Sequence, residues 1–215
     1  MRKHRLHEPD HHKRFKDVAK RTLKDKAKQI LHGALPEFLK HGYDRTSMDK
    51  VAKSAGVSKQ TLYSYYNDKN GLFTALIENI ASEKFQILWS KPLEGEPETV
   101  LKEIAYRLLD NVGNKNHLSF SRLILAESDK RPDLSQLFLS TVAKPSIKIL
   151  TRYFQEQEGF NFSDPEATAM IFIGSLIHYV INQELLHGKE IMPMEQERYV
   201  NTLIDLVLAK KTFDS

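Results

Sequence analysis

Residues 57–69 read VSKQTLYSYYNDK, a run of amine, amide, hydroxyl and phenol side chains directly behind Gly56. Groups of this kind read other molecules by hydrogen bonding. A lysine ammonium pairs with the acceptors of guanine, a glutamine amide matches the donor–acceptor edge of adenine, and a threonine methyl packs on the methyl of thymine. Phenol and serine hydroxyls reach phosphate oxygens. Sorted by helical spacing, Val57, Leu62 and Tyr66 fall inward. Lys59, Gln60, Thr61, Tyr63 and Tyr65 are left at the exposed start and outer face.

A second constellation points elsewhere. Glu184 and His187 have the Glu-x-x-His spacing that di-iron helical bundles use. Such a site needs a second Glu-x-x-His and two more inward carboxylates, and the other match, Glu8 with His11, straddles Pro9. His187 also precedes Gly188, where a helix C-terminus favours an imidazole. The sequence holds no glycine-rich phosphate loop, Gly-x-Ser-x-Gly elbow or His-Glu-x-x-His. His4, His7, His11 and His12 belong to a solvated stretch. The expectation is no enzyme, no metal and no cofactor.

The donors of residues 57–69 need a rigid frame. Residues 47–66 supply two short helices: Ser47 caps the first, which runs through Met48 and places Val51, Ala52 and Ala55 inward, and Ser58 caps the second across a turn at Gly56. This is a helix-turn-helix, whose second helix enters the DNA major groove. Base contacts fall to Lys59, Gln60 and Thr61. Phosphate contacts fall to Tyr63, Tyr65 and Lys69, and to the helix starts at Thr46, Ser47 and Ser58, where backbone N–H groups are free.

Around this pair the apolar residues recur at threes and fours. Ala27, Ile30, Leu31, Ala34, Leu35, Phe38 and Leu39 make one stripe that ends at Gly42, and Pro36 within it predicts a kink over 32–36. A long helix follows residues 67–71 and runs to about Trp89. After the breaker-rich KPLEGEPE of residues 91–98, helices are expected over 99–112, 117–127, 133–156 (bent at Pro145), 165–186 and 194–210. No segment alternates as a strand does. The fold class is all-α, with about nine or ten helices. Its parts are a basic flexible arm over 1–23, a helix-turn-helix DNA-binding domain over 24–70, and a larger helical domain over 71–215.

Charge divides along the same line. Through Lys69 there are 17 Lys and Arg against 8 Asp and Glu, a balance of +9, and the remainder carries 15 against 20, a balance of −5. A basic third beside an acidic remainder suits a polyanion partner, double-stranded DNA. The 215 residues contain no cysteine, which excludes disulfides and thiolate chemistry and suits a reducing compartment. The apolar stretch MIFIGSLIHYVI is too short to span a bilayer, and the basic N-terminus has no apolar run behind it. A cytoplasmic protein with no membrane partner is expected.

Residues 30–77 carry a resemblance. Phe38, Gly42-Tyr43, Thr46-Ser47-Met48, Val51-Ala52, Ala55-Gly56-Val57-Ser58, Thr61-Leu62-Tyr63, Tyr65-Tyr66, Lys69 and Leu72-Phe73 together resemble the N-terminal domain of the TetR family of bacterial transcription regulators. The resemblance implies a three-helix DNA-binding domain on a helical domain that dimerises and binds a small effector. It also implies that Lys59, Gln60 and Thr61 meet bases, and that Thr46, Ser47, Tyr63, Tyr65 and Lys69 meet phosphates. Gly33 and Pro36 depart from the strong helix formers usual there. Residues 120–139, with the later run SDPEATAMIFIGSLIHYVI, are similar to the effector domain of the AefR-like branch.

In the second domain the 165–186 helix is apolar almost all round, and the 194–210 helix carries apolar residues beyond one core stripe. Together they form the expected seam of a homodimer, which would set two recognition helices about 34–36 Å apart on a palindromic operator. The effector is expected to be small and largely apolar, and to favour a state in which those helices are wrongly spaced. Trp89, Tyr106, Phe120, Phe138 and Phe172 are candidate walls, with Arg122, Glu127 or His178 as polar anchors, but the pocket itself is not located by sequence. The competing reading is a helical adaptor that binds DNA only non-specifically.

Overall fold

The computed structural model of the chain describes residues 11–112, 115–157 and 162–209. The first helix, α1, spans His11–Arg45. Residues 11–23, expected in a flexible arm, are therefore helical, and the rest of that arm lies outside the described residues. Backbone torsions stay helical through Pro36, so the expected kink over 32–36 is not where the helix breaks. The break is at Gly42, with φ 71° and ψ 177°. A proline costs α1 one hydrogen bond and leaves φ helical, whereas a left-handed φ reverses the chain.

α2 (Met48–Ser54) and α3 (Lys59–Tyr65) follow, each opened by its serine cap: the Ser47 hydroxyl accepts from Lys50 N–H and the Ser58 hydroxyl from Thr61 N–H. α4 runs Lys69–Leu88. The chain divides into two compact units, residues 1–76 and 77–215, whose boundary falls inside α4. In the first unit Ile30, Ala34, Phe38, Val51, Leu62, Leu72 and Phe73 are buried together. The Phe38 and Phe73 rings stand 4.6 Å apart, and Tyr43 stands 5.0 Å from Phe73. Gly33, which departs from a strong helix former, has a packing reason. A Cβ there would lie 2.4 Å from Ala55 Cα, so only glycine lets α1 meet the end of α2 at this distance.

The second unit contains α5 (Pro97–Val112), α6 (Lys115–Glu127), α7 (Pro132–Phe138), α8 (Lys144–Gln155), α9 (Pro165–Val180) and α10 (Gln196–Leu208). Leu101, Ile104 and Leu108 of α5 share a core with Leu150 and Phe154 of α8, Phe172 and Leu176 of α9, and Val200 and Ile204 of α10. Each set is spaced at threes and fours, which is why four separate stripes close on one interior. The helix expected over 133–156 is two helices joined by a π-helical turn, Leu139–Ala143, and Pro145 lies in the first turn of α8. A second π-helical turn, Ile181–Leu185, ends α9. Among the described residues there is no strand, and no helix is long and apolar enough to cross a membrane.

Candidate nucleic-acid interface

The turn between α2 and α3 is built around Gly56, whose φ of 63° a Cβ would strain. Val57 N–H donates to Ala52 O at 3.0 Å, closing the end of α2. From α1, Gln29 Nε2 donates to Ala55 O at 2.8 Å, and Lys26 Nζ donates to Gln29 Oε1 at 2.9 Å. Gln29 thus pins the turn that aims α3. Nothing in the local spacing could reveal it, because its partner is 26 residues away.

α3 buries Leu62 and presents Lys59, Gln60, Tyr63 and Ser64 to solvent. Lys59 Nζ pairs with Asp49 Oδ1 of α2 at 2.7 Å, and both side chains remain well exposed. The hydrogen bond to Asp49, then its charge, raises the Lys59 pKa, so the ammonium is held protonated. Asp49 was not among the expected site residues; in the first turn of α2 it reads simply as an acid that favours a helix start. Thr61 is half-buried, and its hydroxyl lies 2.8 Å from the Ser58 hydroxyl. Tyr63 is 41% exposed, whereas Tyr65 is half-buried with its ring 6.4 Å from that of Tyr66. Burial raises the pKa of Tyr66.

The side chains of two residues expected at phosphates also have partners within the protein. Thr46 is 2% exposed, and its hydroxyl faces Gly42 O at 2.7 Å and Glu37 O at 3.1 Å. Lys69 is half-buried. Its Nζ donates to Tyr43 O at 2.9 Å and Asp44 O at 3.1 Å, and lies 4.5 Å from the Tyr43 ring centroid. Both side chains tie the C-terminal end of α1 in place and so position the interface from beneath. Ser47 and Ser58 are exposed caps whose oxygens already accept from their own helices.

The other constellation dissolves. Glu184 Oε1 pairs with Lys189 Nζ at 2.5 Å, and His187 sits in a left-handed turn at φ 58°. No group of ligating side chains able to hold a metal occurs among the described residues.

A serine-capped donor helix across a glycine turn, resting on an aromatic core, defines a helix-turn-helix DNA-binding protein. Residues 30–76 match the bacterial regulatory proteins of the tetR family, and residues 99–210 match the C-terminal domain of AefR-like transcriptional repressors. The chain belongs to the TetR family of transcription regulators, a family of regulators and not of enzymes.

It is similar to the HTH-type transcriptional regulator YhgD of Bacillus subtilis, at 26% identity over 86% of this chain and 96% of that one. The nucleoid occlusion factor SlmA of Mannheimia succiniciproducens is 28% identical over 77% of this chain and 79% of its own. Among solved structures, a TetR-family regulator from Mesorhizobium loti superposes with TM-score 0.74 at 27% identity, covering 86% of this chain and 96% of that one. The flavonoid-responsive regulator FrrA gives TM-score 0.69 at 28% identity, covering 86% and 94%.

Proposed function

We infer that the protein is a repressor that binds a palindromic operator as a homodimer and is released by a small, largely apolar effector. The observation that carries the reading is the outer face of α3, where Lys59, Gln60 and Tyr63 stand exposed together on a helix fixed by caps at its start. Lys59, Gln60 and Thr61 are assigned to bases. Tyr63 and Tyr65 are assigned to phosphates, with the N–H groups beside Ser47 and Ser58. Thr46 and Lys69, whose side chains also hold the end of α1, keep their assignment to phosphates.

Dimerisation is supported by apolar residues that the single chain leaves in water. Met170 and Ile171 on α9 are 55% and 61% exposed, and Leu206 on α10 is 72% exposed. A Cβ on Gly174, one turn beyond Met170, would meet nothing within 4 Å, so a second backbone has room to approach. Two copies joined through α9 and α10 would carry two recognition helices, as a palindrome requires. Release by an effector follows the pattern named in FrrA, a flavonoid-responsive regulator. The repressor sense follows the matched C-terminal domain.

The test is fluorescence anisotropy of the purified protein against the DNA upstream of its own coding region, beside a shuffled duplex, across a salt series. Specific binding that outlasts the shuffled control as salt rises supports the reading. Equal, salt-fragile binding to both duplexes favours the non-specific adaptor.

A further inference from the structure

Asp49 of α2 and Lys59 of α3 stand in a relation that stability does not explain. Lys59 Nζ lies 2.7 Å from Asp49 Oδ1, and the two side chains are 60% and 67% exposed. A pair this open contributes little to the fold. It does set a carboxylate on the face that carries Lys59, Gln60 and Tyr63, where DNA phosphates would repel it. Such a group favours binding only where the duplex offers it a donor. In the major groove the donors are two amino groups, N4 of cytosine and N6 of adenine.

The two amino groups differ in what lies beside them. On an A·T pair N6 sits between two acceptors, adenine N7 and thymine O4, and both repel a carboxylate. On a G·C pair N4 has an acceptor on one side only, guanine O6, with N7 beyond it. O6 and N4 are hydrogen-bonded to each other within the base pair, so they lie about 2.9 Å apart. The 2.7 Å between Lys59 Nζ and Asp49 Oδ1 matches that spacing, with donor facing acceptor and acceptor facing donor.

We propose that Asp49 is itself a base-reading residue, and that Asp49 and Lys59 together read one G·C pair. Lys59 donates to guanine O6 and N7, and Asp49 accepts from cytosine N4. Each side chain exchanges its contact with the other for the edge of the base pair, and the two opposite charges stay neighbours. The order of the groups also sets direction. A C·G pair would bring the amino group under Lys59 and the acceptors under Asp49, so the reversed pair is rejected. The inference rests on the assignment of Lys59 to bases.

The test is selection of binding sequences from a randomised duplex pool by the full-length protein, followed by anisotropy on the enriched site. Wild type is expected to enrich a site with a G·C pair at one position of each half-site. In Asp49→Ala the preference for G·C over C·G at that position should fall about ten-fold, while the other positions keep theirs. Alanine is used because asparagine keeps an oxygen that accepts from N4. Lys59→Gln, whose amide suits adenine, should alter the same position. A further readout replaces the cytosine by N4-methylcytosine, which puts a methyl group where the groove-facing amino hydrogen was. It should weaken wild type about ten-fold and Asp49→Ala hardly at all. Preferences that Asp49→Ala keeps or loses evenly, a lost position that held A·T, or indifference of wild type to the methyl group would each overturn the inference. If Lys59→Gln then still alters one position, base reading by Lys59 stands without Asp49. A pool that enriches no sequence, or a Lys59→Gln that alters no position, overturns the assignment of Lys59 as well.

Discussion

Asp49 and Lys59 join the two helices of the recognition motif through a 2.7 Å ion pair in which both side chains stay open to solvent. The pair occupies the amine that the proposed function assigns to bases, so on that reading Lys59 exchanges a carboxylate for a base edge. If Lys59 reads a base as proposed, Asp49 would act as a gate on indiscriminate binding, its charge repelling phosphates whenever Lys59 is not on its proper base.

Replacing Asp49 by Asn tests this gate. Affinity for the shuffled duplex should rise several-fold while affinity for the specific site changes less, so the specificity ratio falls. Thermal stability should hardly move, because an exposed pair contributes little to the fold. An unchanged ratio in the anisotropy titration would sink the gate.

Lys59→Ala and Tyr63→Ala should abolish specific binding while circular dichroism and the melting curve stay as in wild type. Both side chains are on the exposed face and neither belongs to the buried core. Thr46→Val should act in the opposite manner. It removes a buried hydroxyl that satisfies backbone carbonyls, and it should cost about 1–3 kcal/mol of stability, read as a lower melting temperature, before any effect on DNA.

Much of this interface was legible in the sequence, and the part that was not has a common cause. Ser47, Gly56 and Ser58 act on neighbours a few residues away, so their types alone announced caps and a turn. The inward positions Leu62 and Phe38 followed from spacing at threes and fours. Lys69 was read as a phosphate charge and Thr46 as part of a helix start, and neither reading reveals what their side chains bond within the protein. The Thr46 partners lie four and nine residues back, at the broken end of α1, whereas Lys69 bridges 25 and 26 residues to reach its carbonyls. Gln29 and Gly33 belong to the same class, since each is explained by Ala55, which is remote in sequence. The π-helical turns were missed because an inserted residue barely disturbs apolar periodicity over so short a span.

Gly33→Ala measures how tightly that remote packing is specified. The added methyl would meet backbone and not a flexible side chain, so α1 and α2 must separate. The expected loss is about 1–3 kcal/mol in urea unfolding, with specific DNA affinity reduced because the turn at Gly56 shifts with α2. Full stability in the variant would show that the helices part at no cost.

Ile171→Glu places a charge in the apolar surface assigned to the dimer. The variant should elute as a monomer in light-scattering chromatography with its helical content kept, and its affinity for a two-half-site operator should fall steeply. A dimer of wild-type mass would move the seam elsewhere.

Lys84 makes a prediction about stability and pH that does not depend on any ligand. Its folded pKa, pulled down by burial to about 8, lies below the ordinary 10.5, so the unfolded chain binds its proton more tightly. That preference penalises folding below about pH 8 and fades as pH rises toward 10.5. Glu83 on α4 and His117 on α6 are the titrating neighbours, and His117 loses its charge well before this range. Lys84→Met should then be more stable than wild type at pH 7, by at most about 3 kcal/mol, with the gap narrowing at pH 9.5. Chemical unfolding of both proteins at the two pH values decides it. A variant less stable than wild type at pH 7 would mean that the ammonium contributes to the fold through the rings of Phe120 and Phe138.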